Sequence, residues 1–125
     1  MATKKAYTDL EQSRKLAEIL SLKSADMYYH YDNDFDELES IPTVTEEDDH
    51  FILFPNDVRC WSLAALLSVL PTKLQTVLAI NDFQGDRKEK YVIGSVEHDK
   101  YDCYADNPVD ACYELILKLH ELKML

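Results

Sequence analysis

The stretch from Tyr104 to Leu125, YADNPVDACYELILKLHELKML, limits the possible folds most strongly. Asp106 or Asn107 is placed to cap a helix, and Pro108 then takes the first helical position, where its missing N–H costs nothing. Asp110 falls in the first turn and Lys118, His120 and Lys123 in the last turns, the charge order that the helix dipole favours. A helix over about 108–124 follows. At 100° per residue, Asp110, Glu114, Lys118 and Glu121 fall within roughly 80°, while Val109, Cys112, Tyr113, Leu115, Ile116, Leu117, Leu119 and Leu122 spread over roughly 220°. A surface helix needs an apolar face little wider than about 100°. Burial on more than one side is therefore expected, against a sheet and a second helix or a second subunit.

Two further helices are expected. Thr8 and Glu11 have capping-box spacing, and Leu10, Leu16, Ala17, Ile19 and Leu20 share one side of a helix over about 9–22. Trp61 to Leu70, WSLAALLSVL, can be capped by Ser62 and is closed by Pro71. Its near-absence of polar residues predicts a short, fully buried helix over 62–70. Between the second and third helices, Thr76 to Asn81, Lys90 to Glu97 and Lys100 to Tyr104 read as an antiparallel meander over about 76–104. Met27 to Tyr31 reads as a short strand or a short helix, and Phe51 to Phe54 as a strand or a segment pinned to the core. The fold class expected is α+β, a small three- to four-stranded antiparallel sheet with three helices packed mainly on one face. At 125 residues the chain suits a single domain, 1–125, with a frayed tail at 1–7 and an acidic mobile insert at 32–50.

The formal charge is −11, and its placement is uneven. Between Ser24 and Val58 stand eleven acids and no Lys or Arg, while the rest of the chain holds thirteen of each sign. Direct binding to nucleic-acid phosphates is disfavoured, since that needs Lys and Arg. No apolar run is long enough to span a membrane, and MATKKAYTDLEQSRK lacks the apolar core of a signal peptide. The three cysteines, Cys60, Cys103 and Cys112, form no C-x-x-C and are expected to be reduced thiols in the cytoplasm. The two glycines make no phosphate-cradling loop.

Two blocks, CWSLAALLSVLP from Cys60 to Pro71 and the closing stretch from Tyr104 to Leu125, resemble a family of short acidic proteins from gut Bacteroidales genomes, their phages and mobile elements. That family has no assigned activity. The resemblance implies a bacterial or phage cytoplasmic setting and carries over no site residues.

Residue constellations with chemical potential fall short of their patterns. Asp32, Asp34 and Asp36 open like a calcium loop, but Glu37 stands where that loop needs Gly and Thr43 where it needs Glu. His98, Cys103 and Cys112 lack the paired spacing of zinc ligands. Cys60 with His30, His50 or His98 matches no nucleophile signature. No catalytic, cofactor or metal residues are therefore assigned, and no cofactor is expected. The aromatic run from Met27 to Tyr31, with Phe35, Phe51, Phe54 and Trp61, either covers the core or forms a binding surface among acids that would steer a basic partner. The residues expected to meet a basic protein are Tyr28, Tyr29, Tyr31, Phe35, Glu46, Glu47, Asp48 and Asp49. A non-catalytic interaction module is the leading expectation. A phage-type nucleic-acid mimic that blocks a DNA-binding protein, and a small metal-dependent enzyme or ligand binder, are the alternatives. Monomer and homodimer are both left open.

Overall fold

The computed structural model describes residues 5–45, 56–82 and 85–125. The chain is α+β: among the described residues, helices α1 (Leu10–Ala17), α2 (Leu63–Val69) and α3 (Pro108–Glu121) accompany eight short strands in three antiparallel sheets. The chain forms two compact units, residues 7–65 and residues 1–6 with 66–125. The boundary falls inside α2.

In the first unit, α1 is shorter than the expected 9–22 and is capped one residue later than expected. Asp9, not Thr8, accepts the Gln12 N–H, and the Gln12 side chain accepts the Asp9 N–H, which completes a capping box. Thr8 is unavailable because its hydroxyl faces inward, where it accepts the Trp61 N–H at 3.0 Å and meets Ser13 Oγ at 2.8 Å. After Ala17 the chain enters a 3-10 turn, Leu22–Ser24, capped by Ser21. Strand β1 (Met27–Tyr29) is central to a sheet with β4 (Thr43–Val44) and β5 (Val58–Cys60) on either side. Strands β2 (Tyr31–Asp32) and β3 (Glu37–Leu38) form a separate hairpin. The described part of the span 32–50 thus holds paired strands rather than an unbroken loop. Its backbone groups pair with one another and with β1, which acidic composition alone does not reveal. The expected segment Phe51–Phe54 lies outside the described residues.

Leu16, Tyr29, Cys60 and Trp61 are buried in this unit, with α1 packed on β5. Trp61 Nε1 donates to Ser24 Oγ at 2.9 Å, so the indole satisfies its donor while its body fills the interior. At the start of α2, Ser62 Oγ accepts the Ala65 N–H at 3.2 Å, as an N-cap should. Asp26 in turn accepts the Ser62 N–H at 2.9 Å and the Ser62 hydroxyl. The expected full burial of α2 does not hold, since Ala64, Leu67 and Ser68 are exposed. A two-turn helix packed along one side leaves the other side in water, whatever residues occupy it.

In the second unit, β6 (Thr76–Ile80), β7 (Tyr91–Ser95) and β8 (Cys103–Ala105) pair in the order β6-β7-β8. Asp99–Tyr101 is a 3-10 turn, so β8 starts later than the expected 100–104. Asn81 closes the β6–β7 connection, its side-chain amide donating to the Arg87 and Glu89 carbonyls at 3.0 and 2.9 Å. Helix α3 packs across β7 and β8. Asn107 caps it by accepting the Asp110 N–H at 2.8 Å, with Pro108 at the start. The helix ends at Glu121, ahead of the expected 124, as Lys123 turns to φ 60°. Its fully buried side chains, Val109, Ala111, Cys112, Leu115, Ile116 and Leu119, cover an arc of about 160°. That is narrower than the expected 220° because Tyr113 and Leu117 are half-buried and Leu122 is exposed. Of the expected tail, Lys5 pairs with Asp110 at 2.8 Å in this unit, and Tyr7 bridges to Ser62 in the other.

Candidate functional site

The expected binding surface rests on β1, the β2–β3 hairpin and the residues that lead to β4. Local chemistry shapes the hairpin. Tyr31 pairs with Leu38 and Asp32 with Glu37, leaving Asn33 to Asp36 as the turn. Asp32 Oδ1 accepts the Asp34 N–H at 2.9 Å, an Asx turn that bends the backbone. Asp36 adopts φ 54°, a left-handed conformation that Asp tolerates better than most residues. Its carboxylate also accepts from the Tyr31 hydroxyl. The turn thereby lifts Phe35 into solvent, where it is 74% exposed.

The base of the hairpin is anchored to β5. The Asp57 side chain is 1% exposed, and its Oδ1 lies 3.2 Å from His30 Nδ1 and accepts the Tyr31 N–H at 2.8 Å. The Glu39 N–H donates to the His30 carbonyl at 2.9 Å, extending the pairing past β3. Downstream, Ile41 is 70% exposed, Val44 is exposed, and the Thr45 N–H donates to the Asp26 carbonyl at 2.8 Å. Asp32, Glu37, Leu38, Glu39, Ser40 and Ile41 line an open cleft of about 450 Å³.

Asp32 and Glu37 thus stand directly opposite each other across the hairpin. Like charges in cross-strand positions are destabilising, by about 0.2–1 kcal/mol at such a site. Asp34, Asp36 and Glu39 add three more carboxylates within the same eight residues, which hold no Lys or Arg. The outcome is a surface that combines an exposed ring, an exposed aliphatic residue and a concentrated negative field.

The expected surface residues divide. Phe35 is fully presented, and Tyr28 and Tyr31 are half-buried, Tyr28 in edge contact with the His30 ring at 6.4 Å. Tyr29 belongs to the interior: it is 4% exposed and its hydroxyl donates to the Thr8 carbonyl at 2.8 Å. Burial and the neighbouring Cys60 push its phenol well above the usual range. Strand alternation explains the difference, because successive side chains on β1 point to opposite faces. Trp61 is likewise interior. Glu46, Glu47, Asp48 and Asp49 lie outside the described residues, as does His50. Ile41 and Val44 were not among the expected residues, although isolated apolar side chains beside a proline in an acidic stretch are a usable signal.

The chemical alternatives find little in the described residues. No group of three His, Cys, Asp or Glu among them could hold a metal ion. Cys60 is fully buried, and burial with the Asp26 carboxylate pushes its thiol up to about 12. Cys112 is pushed up to about 12 by burial. Burial also raises Cys103, whose Sγ lies 3.5 Å from the Tyr101 carbonyl. A thiol held protonated is a poor nucleophile and a poor metal ligand. His98 is exposed and meets Tyr101 edge-on at 6.3 Å, beside a cleft of about 380 Å³. No helix of the described residues is long and apolar enough to cross a membrane. Comparison with protein-family models, curated proteins and solved structures finds no match.

Proposed function

We propose that the chain is a non-catalytic interaction module whose acidic hairpin, with Ile41 and Val44 beside it, engages a basic protein surface. The observation that carries the reading is the rung on which Asp32 faces Glu37, next to a Phe35 held in solvent. The like-charge rung costs the isolated chain stability and the exposed ring leaves apolar surface in water, and both are relieved by a partner with cations around an apolar recess. Phe35 would fill the recess, and the carboxylates would steer the approach and set its orientation. Asp57 keeps the hairpin base in place, so less order is gained on binding and less affinity is lost to it. The resemblance of 60–71 and 104–125 to a bacterial and phage family would set this activity in the cytoplasm of a bacterium or phage-infected cell. Glu46 to Asp49 add four more carboxylates to the same stretch of sequence.

A nucleic-acid mimic fits the surface less well. Phosphate backbones offer no counterpart to Phe35 and Ile41, which would then be exposed without purpose.

Capture from bacterial lysate tests the reading. The immobilised chain should retain a basic protein at low salt and release it at high salt. Phe35→Ser should lose that protein, and so should a chain with Ser at positions 46–49. Retention unaffected by either variant, or no captured protein, would sink the proposal.

A further inference from the structure

Strand β6 has no strand partner on one side among the described residues, and its hydrogen-bond register shows which backbone groups face that side. Val96 donates to the Gln75 carbonyl at 3.1 Å and Asn81 to the Lys90 carbonyl at 2.7 Å. With the β6–β7 register, this makes the odd-numbered residues of β6 the ones bonded to β7. The N–H and C=O groups of Thr76, Leu78 and Ile80 therefore point away from β7. Among the described residues no strand pairs with that side.

The edge also lacks the features that usually keep strands apart. From Leu74 to Asn81 the sequence is LQTVLAIN, eight residues without a charge or a proline. Ile80 is 66% exposed and Val77 48% exposed. Helix α3 lies on β7 and β8.

We propose that β6 pairs antiparallel with β6 of a second copy of this chain, about a two-fold axis at Leu78. An isologous interface needs a self-complementary strip, and this one is. Centring on Leu78 sets Leu78 opposite its counterpart and Thr76 opposite the other copy's Ile80. All three outward-pointing residues then find partners, giving about six backbone hydrogen bonds. Val77 falls opposite Ala79, so every cross-strand pair is neutral and most include a β-branched side chain, the kind that stabilises sheets. Charges flank the strip in the complementary order: Lys73 precedes it and Asp82 follows it. Antiparallel pairing brings each Lys73 toward the other copy's Asp82, twice. A centre at Thr76 or Ile80 would leave outward groups without partners. Strand pairing buries less than the roughly 800 Å² per partner of stable complexes, so the dimer is weak and forms at high chain concentration.

Sedimentation equilibrium from micromolar to millimolar chain reads the association, with circular dichroism confirming that each variant is folded. The native chain should move from one copy to two. V77K/A79K sets lysines opposite lysines on exposed positions and should stay a single copy. V77K/A79E sets opposite charges across the same rungs and should dimerise at least as well as the native chain. Amide exchange should slow with concentration at Thr76, Leu78 and Ile80 and not at Val77 and Ala79. A native chain that stays single up to millimolar concentration, or a V77K/A79K chain that dimerises like the native one, would overturn the proposal.

Discussion

Thr8 and Trp61 exchange two hydrogen bonds: the Thr8 N–H donates to the Trp61 carbonyl at 2.9 Å, and the Trp61 N–H donates to Thr8 Oγ1 at 3.0 Å. Both residues are fully buried. Thr8→Val keeps the shape but removes the acceptor, and it strands the Trp61 N–H. An unsatisfied buried donor costs about 1–3 kcal/mol. The midpoint of urea unfolding should fall by the corresponding amount, with the slope unchanged. A midpoint equal to that of the native chain would show that this pair is dispensable.

Gly94 sits against Asp102. A Cβ at Gly94 would collide with Asp102 Oδ1 and lie 3.2 Å from Asp102 Cα. The carboxylate can swing aside, whereas the backbone cannot without moving β8. Gly94→Ala should therefore cost about 1–3 kcal/mol by overpacking. Adding Asp102→Ala should recover part of the loss but not all of it. Full recovery in thermal melts would show that the backbone contact is harmless.

Asp102 also predicts a pH dependence. Burial, helped by Asp99 and opposed by Lys118, raises its carboxyl above the usual 3.8. The folded state then holds this proton more tightly than the unfolded state does. Stability from this group is present below 3.8 and is lost as pH rises through the raised folded value. Asp102→Asn should unfold at higher urea than the native chain at neutral pH, and the gap should close below pH 3.8. An advantage that persists in acid would assign the effect to something other than ionisation.

Glu37→Gln removes the like-charge rung with Asp32 while keeping nearly the same side-chain shape. It should stabilise the chain by about 0.2–1 kcal/mol at low ionic strength, and salt should erase the gain. The same variant should weaken capture of a basic partner. A gain that is equal at high salt would argue against an electrostatic origin.

The cysteines offer a chemical readout of packing. Because all three thiols are buried and shifted upward, an aromatic disulfide reagent should label none of them at neutral pH in the folded chain and all three in urea. Fast labelling of Cys60 or Cys112 without denaturant would contradict the burial. Ile116→Ala, at a fully buried position, should cost about 2–5 kcal/mol. Leu122→Ala, on the exposed end of α3, should stay within about 0.5 kcal/mol of the native chain.

Helix α3 was legible in the sequence because its signals are local. Asn107, Pro108 and the ordered charges act within one or two turns of the residues that carry them. Strands β6 and β7 were legible for a similar reason, since alternation and a charged connection mark a hairpin. The site was only half legible. The excess of acids is a matter of counting, but the choice between Tyr28 near the surface and Tyr29 in the interior depends on which face of β1 turns to the core. Thr8 was misread as a cap for the same kind of reason. Its hydroxyl answers to Trp61, fifty-three residues away, and a distant backbone donor leaves no mark on the local pattern.

Composition and periodicity by themselves determined an α+β chain with a closing helix, a meander and one acidic segment, because caps, turns and alternation act over a few residues. Tertiary structure alone decided that Asp32 faces Glu37, that Asp57 holds the hairpin base, and that Thr76, Leu78 and Ile80 point their backbone groups outward. Those outcomes depend on pairing between strands. A shift of one residue in a register reverses every side chain and every hydrogen bond, and no single segment records which register its partner will choose.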